Sequence, residues 1–514
     1  MSGGRPMDAE ERKSKGDNSR RSRRSFLKAA SFGSTLLIVP REVLGGRGFV
    51  APSDKITVGY VGCGTQGIRQ LMEALRKPEL KIVAVCDPNR RSDDYVEWYK
   101  NELRTKIRQF LNSSSWGEDA KGCRCGREVG KELVEYAYSK GSLKYRCPAF
   151  SDFRAMLEQI EDLDAVYIMT PDHLHATIAV RSMEKGKHVI THKPIANYFN
   201  ELVRAVGTAE RTGKATHLFC AASLGTTPVL REWIRSGVIG AVREVHNWST
   251  RPFWPQGMTE YPKESLPVPE GLQWSLWLGP VPDRPYHPAY THAVFRGWYD
   301  FGTGALGDMG HYSFKQIFTI FDLGSPVTVE ASRSEYWKIV GSTWKKQENR
   351  VSYPRASIIR WEFPARGSFP PLKLTWYDGG LRPPLPKELE EDGEDLPPEG
   401  MLIVGDEGKI LADFMGTNFK LIPKRKQKRS KRPVEKFPEL PSELDQWISA
   451  CRGGKSSNAS FKQAYPFSET ILLGTIALRV RKKLVWSSDQ KRFTNSQEAN
   501  ALLKRPAYRP GWEL

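Results

Sequence analysis

The chain has 514 residues, 39% of them apolar and 11% aromatic, a composition that excludes a disordered chain, a coiled coil and a collagen. No stretch reaches the roughly 18 consecutive apolar residues of a membrane span, and the length suits two or three globular domains. The formal net charge is +19, but it is concentrated in two segments. Residues 1–50 carry eleven Lys or Arg against five Asp or Glu, and the run 424–432 carries seven Lys or Arg. We therefore expect neither a basic face across the molecule nor nucleic-acid binding.

The N-terminal segment has the pattern of an export signal. Residues 22–28 read SRRSFLK, and eleven uncharged, mildly apolar residues follow, up to Val39. This resembles the twin-arginine signal, which implies the twin-arginine export machinery as a partner and a periplasmic or otherwise exported location. We assign residues 1–51 to this leader. The best cleavage candidate, residues 43–45, is poor, so an uncleaved signal acting as a membrane anchor stays open.

A dinucleotide-binding motif follows the leader. Residues 55–61 form a β-branched strand pattern that runs into a glycine-rich turn and then a helical stretch. Asp87 ends the next strand, 20 residues beyond the last glycine of the turn, a spacing typical of a carboxylate that binds the adenosine ribose. The residues predicted to hold the pyrophosphate are Gly62, Gly64, Thr65, Gln66 and Gly67. Asp87 favours NAD, although Arg90 and Arg91 leave NADP possible.

Alternating strands and helices continue to about residue 195. They predict a Rossmann-type doubly wound parallel sheet over residues 52–195, with an insertion at about 96–140. Ligands of such sheets bind at the carboxyl ends of the strands. Two strands, at 164–170 and 188–191, are followed there by His175 and Lys193.

These features resemble the glucose–fructose oxidoreductase and inositol dehydrogenase (Gfo/Idh/MocA) family. The resemblance rests on the glycine turn, on the Thr-Pro-x-x-x-His turn, on the Lys-Pro pair and on the run FGTGALGDMGH at 301–311, and it extends to the C-terminus. It implies cofactor contacts from Thr170, Pro171, His175 and Lys193. It further implies that Lys193 approaches the substrate carbinol and that open sheets pair into a homo-oligomer.

The resemblance also identifies the remaining catalytic candidates. Asp308 and His311 correspond to the Asp and His of the family's second domain, although they are three residues apart here and four apart in the family. Two further positions depart from the family pattern. His192 stands where the family has Glu before the Lys, and Asp172 stands where it has Asn.

The second half of the chain, residues 196–514, is dominated by strand-like segments. It predicts an α+β domain with a largely antiparallel open sheet, followed by a C-terminal helix and tail. The Pro-rich acidic segment 378–400 is expected to be a solvated flap. Trp and Arg side chains in loops suit contacts with a sugar or polyol substrate. The candidates are Arg251, Trp254, Arg296 and Trp298.

The candidate residues suit hydride transfer at a carbinol. Near a cationic nicotinamide, we expect the pKa of Lys193 to fall from about 10.4, which would make it a usable acid and base. His311, with an ordinary pKa near 6.5, is a second proton acceptor, and Asp308 is expected to orient it or to hold substrate hydroxyls. Because an exported enzyme has no free NAD to recycle, we expect a tightly retained cofactor.

Three alternatives remain open at this stage. One is a redox-neutral glycoside hydrolase that passes through a transient keto-sugar. The others are a sugar-binding protein without turnover and a polyanion-binding protein that uses residues 424–432. The seven cysteines do not suggest a disulfide framework. Cys123, Cys125 and Cys147 could form a disulfide or a metal site, but no metal is expected because a Cys-x-Cys pair alone is a poor zinc signature.

Overall fold

A computed structural model describes residues 51–139, 141–220, 227–423 and 440–514. The twin-arginine segment and the basic run 424–432 lie outside these residues. Residues 1–54 and 55–514 form two separate units, and the first is described only by a 3₁₀ turn at Pro52–Asp54. No helix in the described part of the chain is both long and apolar enough to span a bilayer.

The first half of the second unit forms a parallel six-stranded sheet. Its strand order, β5-β2-β1-β6-β7-β8, is that of a doubly wound dinucleotide-binding fold, so the predicted fold is confirmed. The strands are β1 Ile56–Val61, β2 Leu80–Cys86, β5 Ala149–Phe150, β6 Ala165–Ile168, β7 His188–His192 and β8 Thr216–Phe219. The helices between them are α1 Thr65–Leu75, α4 Phe153–Gln159, α5 Asp172–Glu184 and α6 Phe199–Thr212.

The insertion after β2 consists of two helices and a small two-stranded antiparallel sheet. Its elements are β3 Ser92–Tyr95, α2 Glu102–Leu111, β4 Cys123–Cys125 and α3 Arg127–Tyr138. Cys123 and Cys125 are buried with their Sγ atoms 4.0 Å apart, and neither forms a disulfide. In the described part of the chain, no cluster of three or more His, Cys, Asp or Glu side chains is arranged to hold a metal ion.

The second sheet has nine strands, in the order β17-β16-β15-β9-β14-β13-β10-β18-β19. All neighbours are antiparallel except β9 and β14, which confirms the predicted largely antiparallel sheet. Its strands are β9 Val242–Trp248, β10 Thr328–Arg333, β13 Ser357–Phe363, β14 Leu372–Asp378, β15 Gly400–Gly405, β16 Lys409–Ala412, β17 Phe419–Ile422, β18 Leu484–Ser487 and β19 Arg492–Phe493. A separate hairpin, β11 Tyr336–Val340 and β12 Thr343–Gln347, projects after β10.

Helices of the second half lie between the two sheets and around them. They are α7 Thr227–Arg235, α8 Trp274–Leu278, α9 Gly304–Phe321, α10 Lys387–Glu391, α11 Glu443–Cys451, α12 Phe461–Val480 and α13 Gln497–Ala501. One apolar cluster runs from α5 and β7 of the first sheet through α9 and α12 to the strands of the second sheet. The two halves therefore share a continuous core, which fixes α9 against the end of β7.

Two expectations about the domains differ from the structure. The parallel sheet takes its last strand from Thr216–Phe219, beyond the boundary expected at residue 195, because this segment pairs with β7. Helix α11 also returns to the first sheet, where Leu444, Trp447 and Ile448 join its core.

The segment 378–400 is not a solvated flap, since Leu389 and Leu396 are buried against Trp248 and its neighbours on the outer face of the second sheet.

Candidate active site

The glycine turn after β1 leaves no room for side chains. Gly62 has φ +102°, and a Cβ there would lie 2.5 Å from the backbone of Met169. A Cβ on Gly67 would lie 2.1 Å from the carbonyl oxygen of Gly62. Helix α1 begins just after this turn, and no side chain caps its first N–H groups. The turn therefore offers free N–H donors and a positive helix end to an anion such as a pyrophosphate.

A groove opens in front of this turn. The predicted cofactor residues that line it are Gly62, Gly64, Thr65, Gln66, Gly67, Asp87, Thr170 and Pro171. Thr170 also has a buried Oγ1 without a hydrogen-bond partner in the described part of the chain. The free N–H groups of the glycine turn and the unpaired hydroxyl of Thr170 suit a bound dinucleotide.

Asp87 lies at one end of the groove, where the adenosine ribose would be expected. Its Oδ2 accepts from the backbone N–H of Cys63 at 2.6 Å, and its Oδ1 accepts from that of Asn89 at 2.8 Å. Burial raises the pKa of this carboxyl, against the opposing effect of the two N–H donors. The two backbone bonds fix the side chain at the carboxyl end of β2, as the sequence spacing predicts.

His175 does not line the groove. Its Nδ1 lies 2.6 Å from the carbonyl oxygen of Pro194, and its Nε2 lies 2.7 Å from that of Thr170. Burial lowers the pKa of the ring, and a neutral imidazole has a single N–H, so it donates to only one of these two carbonyl oxygens. The side chain therefore lies between the turns that follow β6 and β7 and not in the groove.

Beyond the groove lies a buried cluster of charges centred on Asp308. Lys193, at the end of β7, is 3% exposed and donates from Nζ to Asp308 Oδ1. Arg296, which lines the groove, donates from Nε to the same oxygen at 2.9 Å. The ring of Tyr312, one turn after Asp308 on α9, has its centroid 4.9 Å from Lys193 Nζ. The structure thus joins three predicted residues, Lys193, Asp308 and Arg296, from distant parts of the chain.

The protonation of Lys193 differs from the expectation. Burial alone would lower the pKa of its ammonium, but the Asp308 carboxylate outweighs burial, and the pKa lies above its ordinary value. For Asp308, burial is likewise outweighed by Lys193 and Arg296, which hold its pKa well below the usual range. The site without cofactor therefore contains an ammonium, a guanidinium and a carboxylate, all charged.

Asp308 does not orient His311, contrary to the expectation. His311 is fully buried, and its Nδ1–H donates to the carbonyl oxygen of Gly307 on its own helix at 2.7 Å. Its ring faces Phe467 of α12, with ring centroids 6.1 Å apart. Burial lowers the pKa of this imidazole to about 3, so it is neutral. Its Nε2 has no hydrogen-bond partner among the described residues, which leaves one acceptor lone pair available.

Two departures from the family pattern have structural counterparts. His192 is buried, and burial lowers the pKa of its ring, so this position supplies no negative charge. The carboxylate beside Lys193 is that of Asp308. Asp172 accepts from Thr303 Oγ1 at 2.8 Å, which ties the start of α5 to the residue before α9. This bond connects the cofactor half to the helix that carries Asp308.

The substrate candidates separate into two groups. Arg296 lines the groove, and its guanidinium lies 5.8 Å from the ring centroid of Trp254. Trp298 is a core residue, 1% exposed, whose Nε1 donates to the carbonyl oxygen of Ala289. Arg251 is held by Glu399 at 2.8 Å, near the end of β9. Trp298 and Arg251 therefore do not line the groove, because long-range packing holds the first and an ion pair holds the second elsewhere.

Several groove residues were not anticipated. Tyr95 of the insertion and His292 of the second half have ring centroids 3.8 Å apart, and both line the groove. No local pattern marks them, since they are brought together only by the fold. Tyr312 was also missed, although its position four residues after Asp308 on a helix places the two side chains on one face.

Comparisons with known proteins identify the family. The family model described as "Oxidoreductase family, C-terminal alpha/beta domain" matches residues 229–359 and 377–514, together more than half of the chain. The model described as "Oxidoreductase family, NAD-binding Rossmann fold" matches residues 134–219. These matches include Lys193, Arg296 and Asp308, whereas β1, β2 and the glycine turn lie before the first matched residue.

Curated relatives match only parts of the chain. A glycosyl hydrolase family 109 protein of Shewanella sp. (strain MR-4) is 25% identical over 236 residues, which are 42% of this chain and 43% of that protein. The dTDP-3,4-didehydro-2,6-dideoxy-alpha-D-glucose 3-reductase of Saccharopolyspora spinosa is 33% identical over 104 residues, 20% of this chain and 30% of that protein. The chain thus spans less than half the length of these relatives.

A solved structure shares the fold. The WlbA dehydrogenase of Bordetella pertussis, determined with NADH and UDP-GlcNAcA, superposes with a TM-score of 0.50 at 15% identity, covering 84% of this chain and 99% of that one. At this identity the likeness concerns the fold alone. With both family models matching in order along the chain, the protein belongs to the Gfo/Idh/MocA family of oxidoreductases and has its NAD-binding Rossmann domain.

Proposed function

We propose that this protein is an exported oxidoreductase that retains its NAD and acts by hydride transfer at a carbinol of a sugar, a polyol or a glycoside. The observation that carries the proposal is the buried Lys193–Asp308–Arg296 cluster beside the dinucleotide groove. A charged cluster of this kind is costly to bury and is typical of a site that handles protons.

The chain's own residues supply the proton chemistry. Bound NAD provides the hydride acceptor, or NADH the donor. In the direction of reduction, Lys193 Nζ gives its proton to the carbonyl oxygen, and Asp308 and Arg296 hold the charge of the site in place. In the direction of oxidation, the deprotonated Nζ receives the hydroxyl proton. His311, whose pKa is about 3, is too weak a base for this proton, and its Nε2 lone pair can only accept a hydrogen bond.

Contacts across the groove support a retained cofactor. The ring of His292 lies against that of Tyr95, with the two planes tilted by 39°, and its Nε2 lies 3.3 Å from Asp94. Nearby, the backbone N–H groups of Arg90 and Gln273 donate to Gly271 and Pro88 across the two halves. We call the side chains of Asp94, Tyr95 and His292 the clasp. A dinucleotide lying below the clasp leaves only after these contacts open.

The adenosine end of the groove favours NAD over NADP. Asp87 places a carboxylate at the expected ribose position, and it would repel a 2′-phosphate. Arg90, one of the two arginines that the sequence suggested for such a phosphate, is paired with Glu270 at 3.2 Å.

Export is part of the proposal and is supported by the twin-arginine pattern at residues 22–28. A cofactor loaded before export suits this route, because folded proteins are its cargo. Fractionation of cells that express the full chain tests this point: we expect the protein outside the cytoplasmic fraction, and a wholly cytoplasmic protein would contradict it.

A second candidate is redox-neutral hydrolysis of a glycoside through a transient keto-sugar. The partial similarity to a glycosyl hydrolase family 109 protein favours it specifically. A retained cofactor is compatible with it, since the nicotinamide ends each cycle in its starting state. In this case nitrophenyl glycosides would release nitrophenol without net formation of NADH.

The test begins with the cofactor. The full chain is purified without added nucleotide and denatured, and the released cofactor is identified by mass spectrometry. We expect near-stoichiometric NAD. A protein that is empty and that also fails to bind either nucleotide would contradict the oxidoreductase assignment.

The Lys193→Ala variant then tests the chemistry. We expect it to keep its cofactor but to lose hydride transfer, or glycoside cleavage, by about 10²- to 10⁴-fold on a panel of sugars, polyols and nitrophenyl glycosides. Lys185→Ala, an exposed lysine at the end of α5, is the matched control. Unchanged turnover in Lys193→Ala would favour a binding protein without catalysis.

A further inference from the structure

A second cavity lies away from the dinucleotide groove, at the base of the β11–β12 hairpin. Its volume is about 370 Å³, and it shares no lining residue with the groove. The walls come from the segments that enter and leave the hairpin, from the end of α12 and from α13. Tyr299, which is 4% exposed, lies at the bottom between these segments.

The cavity has an excess of positive charge. Four arginines line it, Arg333, Arg350, Arg479 and Arg481, against two glutamates, Glu348 and Glu498. Two of the arginines have acidic partners: Arg481 lies 2.8 Å from Glu335, and Arg350 pairs with Glu348.

The other two arginines converge on one aromatic ring. The guanidinium of Arg479 lies 4.5 Å from the ring centroid of Tyr299, and Arg333 Nη1 donates to the Tyr299 hydroxyl at 3.3 Å. Within the described ranges, neither guanidinium is within ion-pair distance of a carboxylate. Two like charges held around a buried tyrosine repel one another, and an anion between them would remove this repulsion.

We propose that this cavity is a binding site for a phosphate or sulfate group, held by Arg333 and Arg479, with Arg350 at its rim. Planar guanidinium groups bind such oxyanions through paired, charge-assisted N–H bonds. The volume exceeds that of a single oxyanion, so the group fits either free or carried on a sugar ring. The site does not depend on the proposed catalytic function.

The binding experiment uses the full chain saturated with NADH, so that the pyrophosphate position at the glycine turn is filled. Isothermal titration calorimetry measures binding of inorganic phosphate, inorganic sulfate, glucose 6-phosphate and glucose. We expect saturable binding of the three anions that weakens with added NaCl, and none of glucose. Tighter binding of glucose 6-phosphate than of phosphate would assign the group to a phosphorylated sugar, whereas equal affinity would assign it to the free anion.

The variants locate the site. Arg333→Gln and Arg479→Gln should each weaken phosphate binding about tenfold or more, since each removes a charge-assisted contact. Arg243→Gln, on β9 and outside the cavity, should leave the affinity unchanged. If Arg479→Gln destabilises the fold, Arg350→Gln, whose side chain is 82% exposed, still reports on the rim and should weaken binding severalfold. An absence of saturable binding, or equal affinities in all variants, would overturn the proposal.

Discussion

At the scale of single residues, the candidate site depends on the balance of three buried charges. Asp308 accepts from both Lys193 and Arg296 through the same oxygen, so one carboxylate holds two cations. Burial alone would lower the pKa of the Lys193 ammonium, but the Asp308 carboxylate outweighs burial and raises that pKa. Asp308 therefore sets the protonation of Lys193. The sequence had instead suggested that Asp308 orients His311 or holds substrate hydroxyls.

Asp308→Asn should move the pH dependence of sugar oxidation. Without the carboxylate, burial and Arg296 both lower the pKa of Lys193, so its deprotonated form appears at lower pH. In wild type the oxidation rate should rise only as the pH approaches the raised pKa of Lys193, and in the variant this rise should occur at lower pH. The measurement is the pH–rate profile of single-turnover hydride transfer.

The control for this prediction is Asp283→Asn, which removes an exposed carboxylate paired with Arg509. Its profile should match that of wild type. Because Asp308→Asn removes the carboxylate shared by the buried Lys193 and the partly buried Arg296, we also expect a loss of stability of about 3 kcal/mol, measured by denaturant unfolding. A profile that does not move would show that Asp308 does not govern the protonation of Lys193.

At the scale of secondary-structure elements, the β1–α1 turn and helix α9 position the two halves of the site. The turn works because its glycines bring the backbone of β6 and the start of α1 together without side chains. Helix α9 starts at Gly304, which has φ +65° and lies so close to the ring of Tyr353 that a Cβ would be only 2.5 Å from it. It is buried along almost its whole length, so Asp308 and Tyr312 are held rigidly.

Gly67→Ala should abolish binding of NAD. The new Cβ would lie 2.1 Å from the carbonyl oxygen of Gly62, so α1 must shift away from the turn and its N–H groups would move from the pyrophosphate position. We expect loss of cofactor by mass spectrometry, together with a lower midpoint of thermal unfolding.

Gly207→Ala is the matched control for this variant. Gly207 lies exposed within α6, and a Cβ there meets nothing within 4 Å. This substitution should keep the cofactor and stabilise the protein by about 0.5–1 kcal/mol, because alanine favours the helix. Equal cofactor content in both variants would contradict the close-approach argument.

At the scale of the whole molecule, the two halves share a core and close over the groove together. The clasp joins the insertion of the first sheet to a loop of the second half, and Asp172 joins α5 to the residue before α9. If the cofactor lies below the clasp, as proposed, its release requires these contacts between the two halves to open.

His292→Asn should open the clasp without straining the backbone. His292 has φ +52°, a left-handed conformation that asparagine tolerates well, while the ring contact with Tyr95 and the pairing with Asp94 are lost. We expect NAD to dissociate about tenfold faster, measured by displacement with a fluorescent NAD analogue. His287→Asn, at the start of a 3₁₀ turn, is the control and should not change the rate. Unchanged dissociation in His292→Asn would show that retention has another cause.

Local patterns in the sequence predicted much of this protein. The alternation of strands and helices, the glycine turn and the positions of Asp87 and Lys193 follow from periodicity and turn chemistry, which act over a few residues. The run of strand-like segments in the second half likewise predicted the largely antiparallel second sheet. The family resemblance added Asp308. Each of these features depends on residues close together in the chain, so each can be predicted from the sequence.

Only the tertiary structure decided which of these residues meet. The bond from Lys193 to Asp308 spans 115 positions, and it exists because α9 packs across the end of β7 in a shared core. Long-range packing also buries Trp298 and pairs β8 with the first sheet. It places Leu389 and Leu396 of the segment 378–400 against the second sheet. The pKa of Lys193 is raised because the same fold brings Asp308 beside it. Burial and charge balance depend on distant segments, and no local pattern encodes those distances.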